Sequence, residues 1–140
     1  MNVRDAMTAN PRTLSPNDSI QSAARIMKEE NAGSVPIVEN GKLVGMVTDR
    51  DIVIRAVVEG SPANRPVRDI ASGNVISTTP GASIRDAEGL MSKHQVRRLP
   101  VVENERLVGI ISLGDIAVKE GKDSRTGDTL ENISEGIKKH

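Results

Sequence analysis

The sequence predicts an α/β (α+β) protein of two β-α-β-β-α units, packed sheet to sheet with pseudo-two-fold symmetry. The first basis is a repeat. The 140-residue chain matches itself without a gap at a shift of 64 residues (115 − 51), which places Asp115 on Asp51 and Pro100 on Pro36. The second basis is the order of patterns in each copy, where helical periodicity precedes two β-branched runs. A gapless match over about sixty residues indicates a duplicated unit.

Each repeat is predicted to contain two helices. The first runs over Ser19–Asn31 and Ser83–Gln95, where apolar residues recur every three or four positions. The second helix of the first repeat runs over Asp49–Val58 and ends near Gly60, a residue type common after helices.

The strands lie on either side of the first helix. Val35–Val38 and Leu43–Thr48 are β-branched runs joined by the turn sequence Glu39-Asn40-Gly41, which is typical of a hairpin. Arg12–Ser15 and Ile76–Thr79 are predicted as short strands that open the two units. One face of such a small sheet would stay apolar and uncovered, so we expect the two units to pack together, with a cleft on each side.

These patterns predict the domain organisation. Residues 1–60 form the first unit, 61–66 a linker, 67–121 the second unit and 122–140 a carboxyl-terminal tail. Three apolar residues of the tail have helical spacing, namely Leu130, Ile133 and Ile137. This spacing leaves open either a short amphipathic helix or a solvated end.

Composition excludes several classes of protein. The chain has 19 basic and 19 acidic residues and no aromatic residue, which argues against a nucleic-acid partner. It has no cysteine, so disulfides and thiolate chemistry are excluded. No long apolar run or basic leader is present, so we expect no contact with membrane and a cytoplasmic location. Phosphate-loop, dinucleotide and zinc-protease motifs are missing, so we predict neither catalysis nor a metal site.

Both repeats carry a polar segment after the last strand. Thr48-Asp49-Arg50-Asp51 and Ser112-Leu113-Gly114-Asp115 each begin a predicted helix. In one interpretation they are helix caps, with the hydroxyl accepting a backbone N–H. In the other, the helix start faces an anion and the carboxylate accepts hydrogen bonds from ribose hydroxyls. The pattern alone leaves both open.

The two segments carry a resemblance to a known family. "SVPIVENGKLVGMVTDRDI" and "RRLPVVENERLVGIISLGDI" resemble CBS domains, and the tandem resembles a Bateman module. The runs "VTDRDIVIRA" and "HQVRRLPVV" are similar to those of small stand-alone bacterial CBS proteins. The resemblance implies a non-catalytic sensor that binds AMP, ADP, ATP or S-adenosylmethionine in clefts between the units and needs no cofactor. The alternative is a ligand-free structural or protein-interaction module.

The resemblance also implies site residues. Asp51 and Asp115, with Thr48 and Ser112 beside them, would hold ribose. The residues before each strand proline would line the clefts: Gly33, Ser34, Val35, Arg97, Arg98 and Leu99. The entries to the first strands would contact adenine: Thr8, Asn10, Pro11, Ser72, Val75 and Ile76.

The repeats differ in charge near these positions. Arg97 and Arg98 stand where the first repeat has Gly33 and Ser34, and we expect them to contact phosphate. Asp49 adds negative charge to the first site, so the Asp115 site should tolerate phosphate better.

Two kinds of protein partner are expected. We predict a homodimer through the apolar faces of the second helices, together with a protein partner of unknown identity. The faces comprise Ile52, Val53, Ala56, Val57, Ile116, Ala117 and Val118.

Overall fold

The computed structural model describes residues 1–123, so the predicted tail helix around Leu130, Ile133 and Ile137 lies outside the described residues. Its elements are α1 (Val3–Ala6), β1 (Thr8–Ala9), α2 (Ile20–Glu30), β2 (Ser34–Glu39), β3 (Lys42–Thr48), α3 (Asp49–Asp51), α4 (Ile84–His94), β4 (Arg98–Glu103), β5 (Arg106–Ser112) and α5 (Leu113–Asp123). A π-helix at Ile52–Val57 continues α3, and a 3-10 turn lies at Val67–Asp69. The predicted mixture of helices and strands is confirmed. No described helix has the length and apolar character needed to cross a bilayer.

The chain forms two compact units that do not coincide with the sequence repeats. The amino-repeat unit comprises Arg12–Val75 with the hairpin tip Asn104–Leu107. The carboxyl-repeat unit comprises Met1–Pro11, Ile76–Glu103 and the chain from Val108 onward. The opening segment of each sequence repeat therefore belongs to the compact unit of the other repeat.

In the carboxyl-repeat unit, the exchanged segment caps α4. The Ile84 N–H donates to the Met1 carbonyl at 3.2 Å, and the Val3 N–H donates to the Ala82 carbonyl at 2.9 Å. The first N–H groups of a helix have no partner within the helix, so the segment satisfies one of them from outside. Val3 is fully buried.

The amino-repeat unit repeats this arrangement with the segment around Val67. The Ile20 N–H donates to the Arg65 carbonyl at 2.9 Å, and the Val67 N–H donates to the Asp18 carbonyl at 2.8 Å. The predicted linker 61–66 thus makes specific contacts at the start of α2, and Val67 is fully buried.

After its short helical turn, each exchanged segment lies against the last strand of its compact unit. Thr8 pairs with Ile110, and Ser72 pairs with Met46. The glycine of each repeated "LVG" allows this close approach. A Cβ on Gly109 would lie 2.9 Å from the Thr8 carbonyl oxygen, and one on Gly45 would lie 3.1 Å from the Ser72 carbonyl oxygen. The absence of a Cβ at these two glycines therefore leaves room for the backbone of the exchanged segment beside the strand.

The hairpin predicted in the first repeat is confirmed, and the second repeat forms one as well. β2 pairs with β3 and β4 pairs with β5, and in the first hairpin Ser34 lies opposite Thr48. The turn at Asn40-Gly41 has positive φ at both residues, as a two-residue hairpin turn requires.

The short strands predicted at Arg12–Ser15 and Ile76–Thr79 are reduced to single parallel bridges. Leu14 pairs with Ile37, and Thr78 pairs with Val101. Pro16 and Pro80, which follow directly, have no N–H with which to extend the ladders.

The first helix of each repeat is confirmed together with its caps. The Ser19 hydroxyl accepts the Ser22 N–H and the Ser83 hydroxyl accepts the Asp86 N–H, each at 3.0 Å. Asn31 and Gln95 end these helices in the left-handed conformation. The caps thus fall on the end residues of the predicted ranges.

The second helix of the first repeat departs from the predicted α-helix. From Ile52 it is a π-helix, and the Val58 N–H donates to the Val53 carbonyl five residues earlier at 3.1 Å. This stretch is rich in β-branched residues, which crowd the preceding turn of a tight helix. In the second repeat Ala117 and Gly121 replace Val53 and Val57, and α5 is regular.

Each unit has its own aliphatic core. That of the amino-repeat unit comprises Leu14, Ile20, Ala23, Ile26, Met27, Val35, Ile37, Val47, Ala56, Val67 and Ile70. That of the carboxyl-repeat unit comprises Val3, Ile84, Ala87, Met91, Leu99, Val101, Ile111 and Ile116. The prediction that Ala56, Ile116 and Ala117 lie on an apolar face for dimerisation is wrong, because all three are buried within their own units.

Candidate functional site

The first candidate site begins at Thr48, where β3 ends. The Asp51 N–H donates to the Thr48 hydroxyl at 3.0 Å, and the Thr48 N–H donates to Asp51 Oδ2 at 2.9 Å. This reciprocal pair is a capping box. The Asp51 side chain is 16% exposed, and its Oδ1 lies 4.0 Å from Nε of Arg55. The capping box therefore fixes the Asp51 carboxylate at the start of the helix and leaves Oδ1 outside the cap.

The second candidate site has the same construction. The Asp115 N–H donates to the Ser112 hydroxyl at 3.0 Å, and the Ser112 N–H donates to Asp115 Oδ2 at 3.1 Å. Within the described part of the chain, Oδ1 of Asp115 has no hydrogen-bonding or ionic partner. The capping interpretation of both segments is therefore correct, and it uses only one oxygen of each carboxylate.

A backbone hydrogen bond fixes the residues before each strand proline beside these caps. The Asp49 N–H donates to the Gly33 carbonyl at 2.9 Å, and the Leu113 N–H donates to the Arg97 carbonyl at 3.0 Å. The two bonds are equivalent under the 64-residue shift. The structure thus holds the backbone of Gly33 at the helix start after Thr48 and the backbone of Arg97 at the helix start after Ser112, and Ser34 lies opposite Thr48.

The two arginines differ in exposure. Arg97 is exposed, whereas Arg98 is half-buried at the start of β4. Nε of Arg98 is shielded from solvent and has no hydrogen-bond partner among the described residues. A buried donor without a partner is unfavourable, so this guanidinium is suited to an added acceptor.

The residues predicted to contact adenine divide between the units. Thr8, Asn10, Pro11 and Ile76 lie in the carboxyl-repeat unit with Ser112 and Asp115, whereas Ser72 and Val75 lie in the amino-repeat unit with Thr48 and Asp51. The Asn10 N–H donates to the Val108 carbonyl at 3.4 Å. Val35 and Leu99, predicted to line the clefts, have side chains buried in the two cores.

Two further residues lie near the first site: Asp49, whose negative charge was expected there, and Arg55, which sequence reasoning missed. The Asp49 carboxylate lies over Gly33, where an added Cβ would be 3.2 Å from Oδ2. Arg55 faces the carboxylate of Asp51. The spacing of Asp51 and Arg55, four residues apart on a helix, was the signal that could have identified the second contact.

The chemistry available at these positions is that of binding. Each site combines a fixed carboxylate, a hydroxyl and helix-start N–H groups, and in the second repeat the backbone of Arg97 lies beside them. These groups can hold a diol and an anion. Among residues 1–123, no three His, Cys, Asp or Glu side chains gather as metal ligands do.

Comparison with known proteins shows what the chain is similar to. The CBS domain family model matches residues 3–57 and again residues 67–119. The CBS domain-containing protein YhcV of Bacillus subtilis is 46% identical over 132 residues, which are 94% of each chain.

Two solved structures share the fold. The CBS domain pair of protein MJ0100, in complex with 5-methylthioadenosine and S-adenosyl-L-methionine, is 32% identical with a TM-score of 0.77 and covers 89% of this chain and 98% of that one. Hypoxic Response Protein I, a structure with two coordinated zinc ions, is 36% identical with a TM-score of 0.78 and covers 84% of this chain and 98% of that one.

Proposed function

The chain belongs to the CBS domain family, and on this premise we propose that it is a non-catalytic regulatory module that binds an adenosine-containing ligand. The candidate ligands are AMP, ADP, ATP and S-adenosylmethionine. The binding groups are those of the Thr48–Asp51 and Ser112–Asp115 segments, together with the residues held beside them. The ligand alters the packing of the module or its contacts with a partner.

One observation carries this proposal. In each repeat the helix cap uses only Oδ2 of the aspartate, and Oδ1 stays outside the cap. A carboxylate positioned by its own cap can accept hydrogen bonds from the two neighbouring hydroxyls of a ribose with little further loss of side-chain entropy. The second oxygen of each aspartate is therefore the acceptor that a ribose would use.

The surrounding groups support the same ligand class. Arg97 and Arg98 supply cations suited to phosphate oxygens. Thr8 and Asn10 in one unit, and Ser72 in the other, lie on the segments that pair with the strands leading to the caps. Protein MJ0100 binds two adenosine derivatives through a CBS pair.

The second candidate is a ligand-free interaction module, and one observation favours it. The caps are complete without any ligand, and the π-helix region exposes a run of apolar side chains: Val53 (55% exposed), Ile54 (44%), Val57 (67%) and Val58 (75%).

We propose that this apolar face, defined by these four residues, is where a second copy of the chain binds to form a homodimer. The proposal also includes a further protein partner and a cytoplasmic location.

Binding measurements distinguish the two candidates. Thermal unfolding of the full chain with AMP, ADP, ATP or S-adenosylmethionine should show a raised melting temperature for at least one, because a ligand that binds the native state stabilises it. Asp51→Asn and Asp115→Asn should each weaken binding by about tenfold at their own site, since each loses one charged acceptor.

A matched control is Asp18→Asn. Oδ2 of Asp18 accepts the Ser15 N–H at 2.8 Å across the same three-residue spacing, but it lies in a loop outside the site. This variant should bind as the parent does. If no adenosine compound changes the melting temperature, the sensor proposal is wrong and the interaction module remains.

A further inference from the structure

We infer that the segment Met1–Pro11 exchanges between two copies of the chain, so that each copy completes the carboxyl-repeat unit of the other. In this domain-swapped dimer the segment of one copy caps α4 and pairs with β5 of its partner. The exchange also moves Thr8 and Asn10, which lie on the segment, to the candidate site of the other copy. The inference needs no ligand and is independent of the apolar face proposed above.

The segment makes all its described backbone contacts with one unit. The Arg4 N–H donates to the Pro80 carbonyl at 3.1 Å and the Asn10 N–H donates to the Val108 carbonyl at 3.4 Å, in addition to the bonds at the start of α4 described above. Val3 is fully buried. A second copy of the chain offers identical partners to each of these groups. Exchange therefore keeps every one of these contacts, which is why domain swapping is a low-cost route to a dimer.

The chain reaches the two exchanged segments by different paths. Met1–Pro11 is separated from the rest of its unit, which resumes at Ile76, by the whole stretch Arg12–Val75. The segment around Val67 lies within that stretch and belongs to the same compact unit as the residues on either side of it. Opening the connection at Pro11–Arg12 therefore redirects the first segment to another copy, whereas the second segment stays with its own unit.

The connection of the first segment is strained in the closed chain. Asn10 has a φ of 51°, in the left-handed region, and it directly precedes Pro11. A proline ring disfavours helical conformations in the residue before it and favours an extended one. The equivalent connection Asn74-Val75 has no proline, and Asn74 is not among the described residues with positive φ. In an exchanged dimer Asn10 can extend, which removes this strain from both connections.

The strain sets the size of the expected effect. A residue held in a sparsely populated backbone region shifts an equilibrium by about tenfold. Two connections relax in each dimer, so their relaxation favours the dimer by about a hundredfold. Exchange first requires Val3 to leave the core, which makes it slow under native conditions. The dimer should therefore form when the concentrated chain is partly unfolded and refolded, and it should persist on dilution.

An engineered disulfide identifies the copy to which the segment is bound. The chain has no cysteine, so two introduced thiols have no competing partner within it. Asn2 and Ser83 form an antiparallel bridge, and the flanking hydrogen bonds make it a pair without direct hydrogen bonds, whose Cα atoms lie about 4.5 Å apart. This separation suits a disulfide. Asn2→Cys/Ser83→Cys should therefore give covalent monomers in the closed chain and covalent dimers in the exchanged one.

The other repeat supplies a matched control. Ser19 and Pro66 form the equivalent antiparallel bridge. Ser19 caps α2 as Ser83 caps α4, so Ser19→Cys/Pro66→Cys loses the same kind of cap. Its disulfide joins residues of the stretch Arg12–Val75 and should stay within one chain in both forms.

The experiment combines refolding with oxidation. Each double variant is reduced, partly unfolded in urea at high concentration, refolded, separated by size-exclusion chromatography and then oxidised. In non-reducing denaturing electrophoresis of the dimer fraction, Asn2→Cys/Ser83→Cys should migrate as covalent dimers and the control variant as monomers.

A change in the connection tests the role of strain. Pro11→Val copies the connection of the second segment and should lower the dimer association constant by about tenfold or more, measured by light scattering after the same refolding. Pro62→Ala, at an exposed proline of the amino-repeat unit, should leave it unchanged.

Three results would count against the inference. Absence of a dimer after refolding would overturn it. So would a dimer in which the Asn2→Cys/Ser83→Cys disulfide stays within one chain, because the copies would then associate through another surface, such as the apolar face. Equal association constants for the parent and Pro11→Val would overturn the strained connection as the cause of exchange.

Discussion

The two repeats build the same backbone and then diverge at the helix that follows the cap. In the amino repeat this helix is β-branched, widens to a π-helix at Ile52–Val57 and exposes apolar side chains. In the carboxyl repeat α5 is regular, and Val118 is its one large apolar side chain among the exposed residues described. The comparison indicates that the capping box and the exchanged segment keep the same geometry in both repeats, whereas the outer helix face differs.

The largest effect is expected at this apolar face. Val57→Lys places a charge in the proposed homodimer contact, and an unpaired buried charge should weaken association by about a hundredfold or more. Val118→Lys, on the corresponding helix of the other repeat, is the control and should weaken it far less if the face of the amino repeat forms the contact. Light scattering across micromolar concentrations measures both variants. A monomeric parent chain would contradict the homodimer.

The exchanged segments give the next effect. Val3 and Val67 occupy equivalent positions and are fully buried. Replacing either with alanine should lower the free energy of unfolding by about 2 kcal/mol, the usual cost of removing buried methyl groups.

The two variants should nevertheless differ in which unit they loosen. Hydrogen exchange followed by mass spectrometry should show lost protection in α4 and β4 for Val3→Ala, and in α2 and β2 for Val67→Ala, because each segment packs on the other sequence repeat. Exposed Val44→Ala is the control. Loss of protection in α2 for Val3→Ala would contradict the exchange.

Much of the fold follows from local patterns in the sequence. The first helices end at Asn31 and Gln95 as predicted, because apolar spacing and caps act within a few residues. The first hairpin follows from its turn residues in the same way, and the second follows from the repeat. The caps at Thr48 and Ser112 were one of two open interpretations, and the structure shows that they form.

The exchange of the opening segments could not be predicted in this way. Val3 and Val67 align with each other in the repeat whichever unit they pack against. The repeat pattern therefore does not predict which unit each segment joins. The π-helix was missed because its hydrogen bonds span five residues instead of four. Over a stretch this short, the spacing of apolar residues does not distinguish the two kinds of helix. The site residues were assigned through the family resemblance. The negative charge of Asp49 at the first site was expected from the sequence, whereas its position over Gly33 became visible only in the structure.

The smallest effect concerns two glutamates on the first helices of the repeats. On α4, burial raises the pKa of Glu88, and the neighbouring charge of Glu120 and a hydrogen bond with it raise this pKa further, while Arg85 opposes the shift. On α2, a hydrogen bond from Arg12 lowers the pKa of Glu29. Ala24 and Ala56 stand in the first repeat where the second has Glu88 and Glu120, so the acidic pair belongs to one repeat alone.

The two shifts predict opposite dependences of stability on pH. The folded state holds the proton of Glu88 more tightly than the unfolded chain does, so stability falls as pH rises from the unfolded pKa through the folded one. Glu88→Gln should therefore stabilise the chain slightly at pH 7, with the gain vanishing near pH 4, as measured by urea unfolding at each pH. Glu29 behaves in the reverse way, since its contribution is present above the unfolded pKa and is lost as pH falls, so Glu29→Gln should destabilise slightly at pH 7. Both effects are small because solvent screens these half-exposed groups. Parallel pH profiles for the two variants would contradict the assignment, because burial and Glu120 raise the pKa of Glu88, whereas Arg12 lowers the pKa of Glu29.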